Sequence, residues 1–223
     1  MSDESIRVQK YLSQKGICSR REAEKYIQNG WIRINGKVAQ LGDQIIPEHD
    51  HLELSDQIEK DQSNHTLIAF HKPRGVVTNC PQKGEKEISD LLPQNLKHLN
   101  AIGRLDKESE GLILLTDNGQ ISKSYLAAET PHERVYEVWL NAPITSLQIQ
   151  KLETGIPLFG AKTKPLSITK KKDTVILMTM REGKNRQIRR MIQKIGLHVT
   201  RLRRLRFGDY TLGELPKSEF KIL

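Results

Sequence analysis

The first part of the chain places apolar residues with the period of a helix. Val8, Tyr11 and Leu12 recur at helical spacing, and Gly16 is suited to end that helix. The segment from Ser19 to Glu22 has the form of a capping box, in which the serine hydroxyl and the glutamate satisfy backbone N–H groups reciprocally. The pattern therefore predicts two short helices in succession.

A hairpin is predicted after the second helix. Ile32 and Ile34 alternate with a polar residue, and Asn35-Gly36 is a signal for a tight turn of the primed type. Residues 41–54 can supply a further strand, broken at Pro47. Residues 1–54 are therefore expected to form a small module of two helices and a hairpin.

A polar segment separates this module from the rest of the chain. Residues 55–65 are polar and charged, with Ile58 as the only apolar side chain. Such a composition is typical of a linker. We therefore expect residues 66–223 to form a second, larger domain.

The second domain mixes strands and helices without strict alternation. The apolar run after Gly111 predicts a buried strand. Further strands are predicted at 66–70, 135–140, 174–180 and 198–206. Helices are predicted at 88–92, 120–128, 146–154 and 185–195. This arrangement indicates an α+β fold with a mostly antiparallel, mixed sheet.

The charge balance favours a polyanionic partner. The 223 residues carry a formal net charge of +9, with 28% charged and 36% hydrophobic residues. Nucleic acid and an anionic membrane both fit that sign. However, no apolar run approaches the roughly 20 residues that span a bilayer, and no basic amphipathic helix exposes Trp or Phe. We therefore expect no membrane association, and a cytoplasmic location because the N-terminus lacks an apolar signal core.

The sequence offers no cofactor site. Cys18 and Cys80 are far apart and lack neighbouring ligands, so two reduced thiols are expected rather than a metal centre. There is no Walker loop and no dinucleotide fingerprint. We expect neither a metal nor a nucleotide cofactor.

One acid stands in a position that suits catalysis. Asp106 lies on a loop bracketed by Gly103 and Gly111, immediately before the buried strand, with Arg104 two residues away. A carboxylate at the edge of a core is held rigidly, which a surface charge does not require. From these residues alone, a buried ion pair that pins the loop remains an equal alternative.

Two distant segments favour the catalytic interpretation. One is His71-Lys72-Pro73-Arg74-Gly75, and the other runs from Gly183 to Met191 (GKNRQIRRM). Together with GRLD at 103–106, and in this order, they resemble the RsuA/RluB/RluF family of ribosomal RNA pseudouridine synthases. The resemblance covers nearly the whole chain and is closest to the RluF and RluB members. The N-terminal module similarly resembles the alpha-L RNA-binding module of ribosomal proteins.

The resemblance implies a reaction and three catalytic residues. Uridine is isomerised to pseudouridine in ribosomal RNA without a cofactor. Asp106 would be the catalytic acid, whether it attacks the sugar, forms a glycal or attacks the base. Arg189, from the late helix, would pair with it, since an ionised carboxylate in a water-poor pocket needs a partner. Tyr136 would stack on the base and transfer a proton at carbon five.

The basic residues around these motifs are the predicted RNA contacts. The target uridine must leave structured RNA, so phosphate contacts would have to compensate for its extrusion. The predicted contacts are Arg7, Lys10, Arg20, Arg21, Lys25, Lys72, Arg74, Arg104, Lys107, Arg186, Arg190, Arg203 and Arg204. For Lys72 and Arg74 the alternative is support of the active-site loop, and for Arg104 and Lys107 it is orientation of that loop.

Two functional alternatives stay open at this point. The leading hypothesis is a site-specific, monomeric synthase that acts on ribosomal RNA, with the large-subunit RNA favoured over the small-subunit RNA. The second is a non-catalytic RNA-binding or ribosome-assembly factor on the same scaffold. Asp106 discriminates between them, because a scaffold without activity would be expected to lose the acid, Tyr136 or Arg189.

Overall fold

The computed structural model describes residues 4–62, 65–127, 132–158 and 160–223. The chain divides into two compact units. The first comprises residues 1–67 together with 116–124, and the second comprises 68–115 and 125–223. None of the helices in the described part of the chain is both long and apolar enough to span a membrane.

The first unit has the predicted pair of helices and a small sheet. Its elements are β1 (Ile6–Arg7), α1 (Val8–Gln14), α2 (Arg20–Gln28), β2 (Ile32–Ile34), β3 (Lys37–Val38), β4 (Gln44–Ile45), β5 (Leu52–Leu54) and α3 (Asp56–Gln62). Strand β2 lies between β3 and β5, and β1 pairs with β4. The capping box at Ser19 and Glu22 is confirmed. Asn35 and Gly36 both have positive φ, as a primed turn requires.

The segment expected to be a linker is partly folded. Residues 56–62 form helix α3, and Ile58 is buried in the apolar core of the first unit with Val8, Leu12 and Tyr26. The single apolar residue of a polar segment was enough to dock a short helix, which its composition did not indicate. Residues 63 and 64 of the segment lie outside the described residues.

The second unit is built on a seven-strand path with two side strands. Its strands are β6 (Leu67–Lys72), β7 (Asn100–Ile102), β8 (Glu110–Thr116), β9 (Arg134–Leu140), β10 (Pro157–Leu158), β11 (Ala161–Lys162), β12 (Ser167–Lys172), β13 (Val175–Met180), β14 (Val199–Phe207), β15 (Tyr210–Thr211) and β16 (Phe220–Ile222). The path runs β12-β13-β9-β14-β8-β6-β16; β7 pairs with β8 and β15 pairs with β14 beside it, and β10 and β11 form a separate two-stranded sheet. The β14–β8 pair is parallel, whereas β12–β13, β13–β9, β9–β14 and β6–β16 are antiparallel, which confirms the mostly antiparallel mixed sheet.

Helix α4 (Gly119–Leu126) belongs mostly to the first unit, which includes residues 116–124. Helices α5 (Ser146–Glu153) and α6 (Gln187–Lys194) belong to the second unit, in which residues 88–91 and 94–96 form 3₁₀ turns. Ala128, the predicted end of α4, lies outside the described residues. Ile188, Met191 and Ile192 of α6 are buried in the core that the sheet forms with Phe70 and Val138. The helical spacing of these residues thus docks α6 on the sheet and leaves its arginines on the other faces.

The hydrophobic pattern missed strands that are nearly all exposed. Strand β12 has the sequence SITKKK, and only its Ile168 is not fully exposed. An edge strand is held by backbone hydrogen bonds to one neighbour, so its side chains need not alternate. Its pairing with β13 is therefore a property of the tertiary structure.

Strand β8, which follows the loop that carries Asp106 (residues 103–111, the acid loop), lies very close to the backbone of β14. Gly111 on β8 pairs with Arg204 on β14 and has φ of 111°. A Cβ at Gly111 would lie 2.3 Å from the backbone oxygen of Arg204 and 2.6 Å from its nitrogen. Only glycine fits here, because neither backbone can withdraw without breaking the parallel pair.

We predict that Gly111→Ala lowers the free energy of unfolding by about 2 to 4 kcal/mol, through backbone strain and overlap together. Urea denaturation monitored by circular dichroism measures the loss. Gly84→Ala is the matched control, because Gly84 also has positive φ but its added Cβ meets nothing within 4 Å. That control should lose only about 1 kcal/mol. Equal losses in the two variants would contradict the close-approach explanation.

Candidate active site

The three residues predicted to be catalytic line one cavity of the second unit. The cavity has a volume of about 380 Å³, and Asp106, Tyr136 and Arg189 all contribute to its wall. The acid loop, β9, the start of α6 and β14 each supply part of the lining. Residues that are 30 to 83 positions apart along the chain are therefore brought to one site.

A buried lysine binds the backbone of the acid loop. Lys72 has no exposed surface. Its ammonium group donates hydrogen bonds to the carbonyls of Pro73 at 3.0 Å, Asp106 at 3.2 Å and Ser109 at 2.9 Å. The prediction that Lys72 contacts RNA is therefore wrong, because its ammonium group is buried and its three donors are already bound by backbone carbonyls. Its role is to position the loop that carries the acid.

A second clamp comes from a residue that the sequence analysis did not single out. The hydroxyl of Thr78 accepts a hydrogen bond from the backbone N–H of Leu105 at 3.0 Å and donates one to its carbonyl at 2.8 Å. The N–H of Gly75 donates to the carbonyl of Lys107 at 2.8 Å. The segment 72–78 thus holds both sides of Asp106. No motif singled out Thr78, because a lone threonine in an extended segment is common.

Burial sets the protonation of Lys72. Desolvation lowers its pKa from 10.5 to about 8, although the negative charges of Asp106, Glu108 and Glu110 act in the opposite direction. Loss of a proton from the Lys72 ammonium group would remove one of its three hydrogen-bond donors and its positive charge. The position of the loop is therefore linked to the protonation of Lys72.

The guanidinium closest to the acid belongs to Arg186. Its Nη1 lies 3.8 Å from Oδ2 of Asp106 and 2.8 Å from Oε2 of Glu108. The hydrogen bond to Glu108 raises the pKa of Arg186. Arg189 instead donates to the carbonyl of Glu108 at 3.2 Å and to the hydroxyl of Ser109 at 3.3 Å. The expected ion pair between Arg189 and Asp106 is thus replaced by one from Arg186.

The backbone explains why Arg186 takes this place. Arg186 precedes α6 and has a left-handed conformation, with φ of 51° and ψ of 29°. That conformation costs a non-glycine residue roughly 1 kcal/mol or more. The sequence predicted a helix from residue 185, so the left-handed turn, and the side-chain direction that it sets, could not be read from the helical pattern.

The acid itself is only partly shielded. The side chain of Asp106 is 29% exposed, so the water-poor pocket expected from the sequence is an open-sided cavity before any substrate binds. Tyr136 is 7% exposed and lies on β9, where it pairs with Met178 of β13 and Arg204 of β14. The cavity therefore presents a reachable carboxylate together with a rigidly packed aromatic ring.

The wall next to Tyr136 carries two more arginines. Arg134 and Arg204 line the cavity, and the guanidinium carbon of each lies 4.8 Å from the centre of the Phe207 ring. Arg204 is 2% exposed and lines the cavity, so the predicted contact of Arg204 with RNA stays a prediction, and it would have to be made inside the cavity. Arg134 and Phe207 were not predicted, because each stands at the end of a strand without any motif.

The remaining predicted RNA contacts are mostly accessible. Those classed as exposed are Arg7, Lys10, Arg20, Arg21 and Lys25 in the first unit, and Arg74, Arg104, Lys107 and Arg186 in the second. Several of their charges are already paired. Lys25 lies 2.9 Å from Asp61, and Lys107 lies 2.8 Å from Glu85.

Two predicted contacts are half-buried. Arg203 forms an ion pair of 2.5 Å with Glu137. Arg190 donates to the side-chain oxygen of Asn185 at 3.1 Å. Both side chains are therefore less available to RNA than the exposed set.

The comparisons with known proteins agree with this architecture. A family model described as RNA pseudouridylate synthase matches residues 66–194, and the S4 domain model matches residues 6–52. The dual-specificity RNA pseudouridine synthase RluF of Escherichia coli (strain K12) is 38% identical over 225 residues, covering 100% of this chain and 77% of that protein.

A second relative and a solved structure extend the likeness. The ribosomal large subunit pseudouridine synthase B of Bacillus subtilis (strain 168) is 35% identical, covering 97% of this chain and 91% of that protein. A crystal structure described as a pseudouridylate synthase superposes with a TM-score of 0.72 at 30% identity, covering 98% of this chain and 96% of that one.

We predict that the stability contributed by Lys72 depends on pH. Because the folded-state pKa of about 8 lies below the ordinary value of 10.5, the unfolded chain binds more protons between these two values. Wild-type protein should therefore become more stable, relative to Lys72→Met, as pH rises through this window, by at most about 3 kcal/mol. Urea denaturation of both proteins at pH 7.5 and 9.5 measures the difference. A stability difference that is independent of pH would contradict this account.

Proposed function

We infer that this chain, which belongs to the RNA pseudouridylate synthase family, isomerises a specific uridine of ribosomal RNA to pseudouridine. The large-subunit RNA is the proposed target, and the small-subunit RNA is the alternative. The large-subunit proposal is supported by the name of the Bacillus subtilis relative, a ribosomal large subunit pseudouridine synthase, of which this chain covers 91%.

The observation that carries the proposal is the meeting of Asp106 and Tyr136 in one basic cavity. The acid lies on a loop that Lys72 and Thr78 hold, and the tyrosine lies on β9 of the same sheet. This constellation also weighs against a non-catalytic assembly factor, since nothing in RNA binding alone requires a positioned carboxylate beside an aromatic ring.

We propose the following division of chemical roles. The carboxylate of Asp106 acts as a nucleophile or stabilises positive charge on the sugar while the bond from the anomeric carbon to N1 of uracil breaks. The detached uracil turns on Tyr136, and a new bond joins its carbon five to the sugar. The hydrogen on carbon five then leaves as a proton, for which the tyrosine hydroxyl is the proposed carrier, and N1 of the uracil, freed from the sugar, gains a proton, so that the product is an isomer of uridine. Arg186 holds the acid, and Arg189 holds the loop behind it.

The size of the cavity implies how the substrate enters. A volume of about 380 Å³ suits one nucleotide and not a base pair. The target uridine must therefore be extruded from the structured RNA, at a cost of a few kcal/mol. We propose that exposed arginines and lysines of residues 1–54 and of the catalytic domain, residues 66–223, offset this cost through phosphate contacts. A monomer in the cytoplasm, where ribosomes assemble, is the proposed working form.

We predict that Asp106→Asn abolishes isomerisation while RNA affinity stays within about threefold, because the change removes a negative charge and no phosphate contact. Tritium release from ribosomal RNA labelled at carbon five of uridine measures turnover, and filter binding measures affinity. Asp173→Asn is the matched control, because that carboxylate is exposed and pairs with Lys170 on a distant hairpin. Wild-type turnover by Asp106→Asn would refute the assignment.

The target and the activity are tested together by carbodiimide mapping. Ribosomal RNA from cells with and without this protein should differ at one uridine, and the difference should disappear when only Asp106→Asn is supplied. A difference in the small-subunit RNA would select the alternative target. Identical maps would count against a synthase that acts on ribosomal RNA.

We predict that Arg20→Gln combined with Arg21→Gln weakens RNA binding and its dependence on salt. Both side chains are exposed on the first turn of α2. Two lost phosphate contacts should reduce the slope of log K against log salt by about 1.4 to 1.8. Lys170→Gln combined with Lys171→Gln on β12 removes the same charge and should leave the slope unchanged. Equal slopes in the two double variants would argue against RNA binding by α2.

A further inference from the structure

Two arginines of the cavity wall share one aromatic ring. Arg134, at the start of β9, and Arg204, on β14, each place a guanidinium carbon 4.8 Å from the centre of the Phe207 ring. All three side chains line the cavity that contains Asp106 and Tyr136. The two positive charges therefore lie close together at one end of the candidate active site.

Neither guanidinium has a negative partner among the residues that the structure describes. Arg134 donates to the carbonyl of His132 at 3.1 Å, and Arg204 donates through Nε to the carbonyl of Leu112 at 2.7 Å. The Nη2 atom of Arg204 is buried and makes no hydrogen bond. Carbonyl oxygens satisfy donors without neutralising a charge, so both cations remain uncompensated.

The other arginines of β14 have carboxylate partners, so the lack of one distinguishes the arginine that lines the cavity. Arg201, Arg203 and Arg206 of β14 all form ion pairs with glutamates, namely Glu110, Glu137 and Glu133. Arg204 is more buried than any of them. The most costly place for a positive charge on β14 is thus the one that lacks a carboxylate.

The free protein is strained electrostatically by this arrangement. Burial lowers the pKa of Arg134; the neighbouring Tyr136 hydroxyl acts in the opposite direction, and the positive charge of Arg204 lowers it further. An uncompensated buried charge is expensive, and a second one of the same sign nearby increases the cost. Such an arrangement persists at functional sites, where a ligand supplies the missing charge.

We propose that Arg134 and Arg204, packed around Phe207, form a subsite for a phosphate group of the nucleotide that enters the cavity. Arginine suits this role, because its planar fork donates two parallel hydrogen bonds to phosphate oxygens. A neutral carbonyl of the base would satisfy Nη2 of Arg204 but would leave both charges uncompensated. This inference rests on the proposed function, since a nucleotide is the proposed occupant of the cavity.

The register of the sheet is consistent with a single nucleotide that reaches all three groups. Tyr136 pairs directly with Arg204 across β9 and β14, and it stands two residues after Arg134 on the same side of β9. A nucleotide with its base on Tyr136 and its sugar at Asp106 then has its phosphate at the arginine pair. The subsite would anchor the extruded uridine by its backbone, independently of the base.

The test measures thermal unfolding of the full chain with three probes. Inorganic phosphate, uridine 5′-monophosphate and uridine are added separately, and chloride keeps the ionic strength constant. For wild-type protein, both phosphate-bearing probes should raise the Tm, by about 3 to 6 °C at ten times their Kd. Arg204→Met should lose this rise for both probes, whereas any rise caused by uridine should stay the same.

Arg206→Met is the matched control, because it removes a guanidinium of the same strand that already pairs with Glu133. It should keep the wild-type rise. Arg134→Met is interpreted in the same way as Arg204→Met, so the result does not depend on the folding of one variant. An equal rise in wild-type protein and both cavity variants would overturn the proposal, and so would no rise with either phosphate probe.

The stability of the ligand-free variants gives a second, independent readout. If Arg204 is kept for a ligand, Arg204→Met should unfold at the same Tm as wild-type protein or at a higher one in phosphate-free buffer, because a buried charge is removed. If Arg204 only holds the carbonyl of Leu112, the variant should unfold at a lower Tm. A lower Tm together with an unchanged phosphate response would reject the subsite.

Neither measurement uses turnover, so this inference can fail separately from the proposed function. Asp106→Asn should retain the full phosphate response although it loses isomerisation. If the protein binds phosphate through Arg204 but modifies no ribosomal uridine, the subsite is supported and the proposed substrate is contradicted. If the protein modifies ribosomal uridine but phosphate does not raise its Tm, the proposed function is supported and the subsite is contradicted.

Discussion

The ammonium group of Lys72 is bound by three backbone carbonyls, and the geometry of the site depends on this contact. Two of those carbonyls belong to the loop that carries Asp106. Burying the ammonium group without such acceptors would cost several kcal/mol of folding free energy. The loop must therefore take the position in which its carbonyls reach Lys72. The carboxylate is therefore fixed through its own backbone, which leaves its side chain available for chemistry.

The same loop is held from two other directions. Thr78 clamps Leu105, and Arg186 and Arg189 approach from the start of α6. These contacts join three segments that are far apart in sequence. The acid is thus positioned by groups that do not themselves need to touch a substrate, which is how a catalytic group is held in place before binding.

The two ends of the cavity differ in whether their arginines are paired with carboxylates. At the acid, Arg186 is matched by Asp106 and Glu108. At Phe207, Arg134 and Arg204 have no carboxylate among the described residues. A nucleotide complements both ends, since it offers a sugar to the acid and a phosphate to the unpaired cations. The positive net charge of the chain only attracts RNA in general, whereas this local imbalance specifies where a phosphate would be bound.

The sequence by itself determined the elements and the motif residues, because helical and strand periodicity and the GRLD loop are local properties. Asp106, the capping box and the mixed sheet were predicted in this way, whereas Tyr136 was predicted from the resemblance to the family. Tertiary structure alone decided which side chain partners which. It exchanged Arg189 for Arg186 beside the acid, buried Lys72 and Arg204, folded residues 56–62 into α3 and added Arg134 to the cavity. These outcomes depend on the left-handed turn at Arg186 and on strand register, which arise from packing between distant segments and leave no mark in a local pattern.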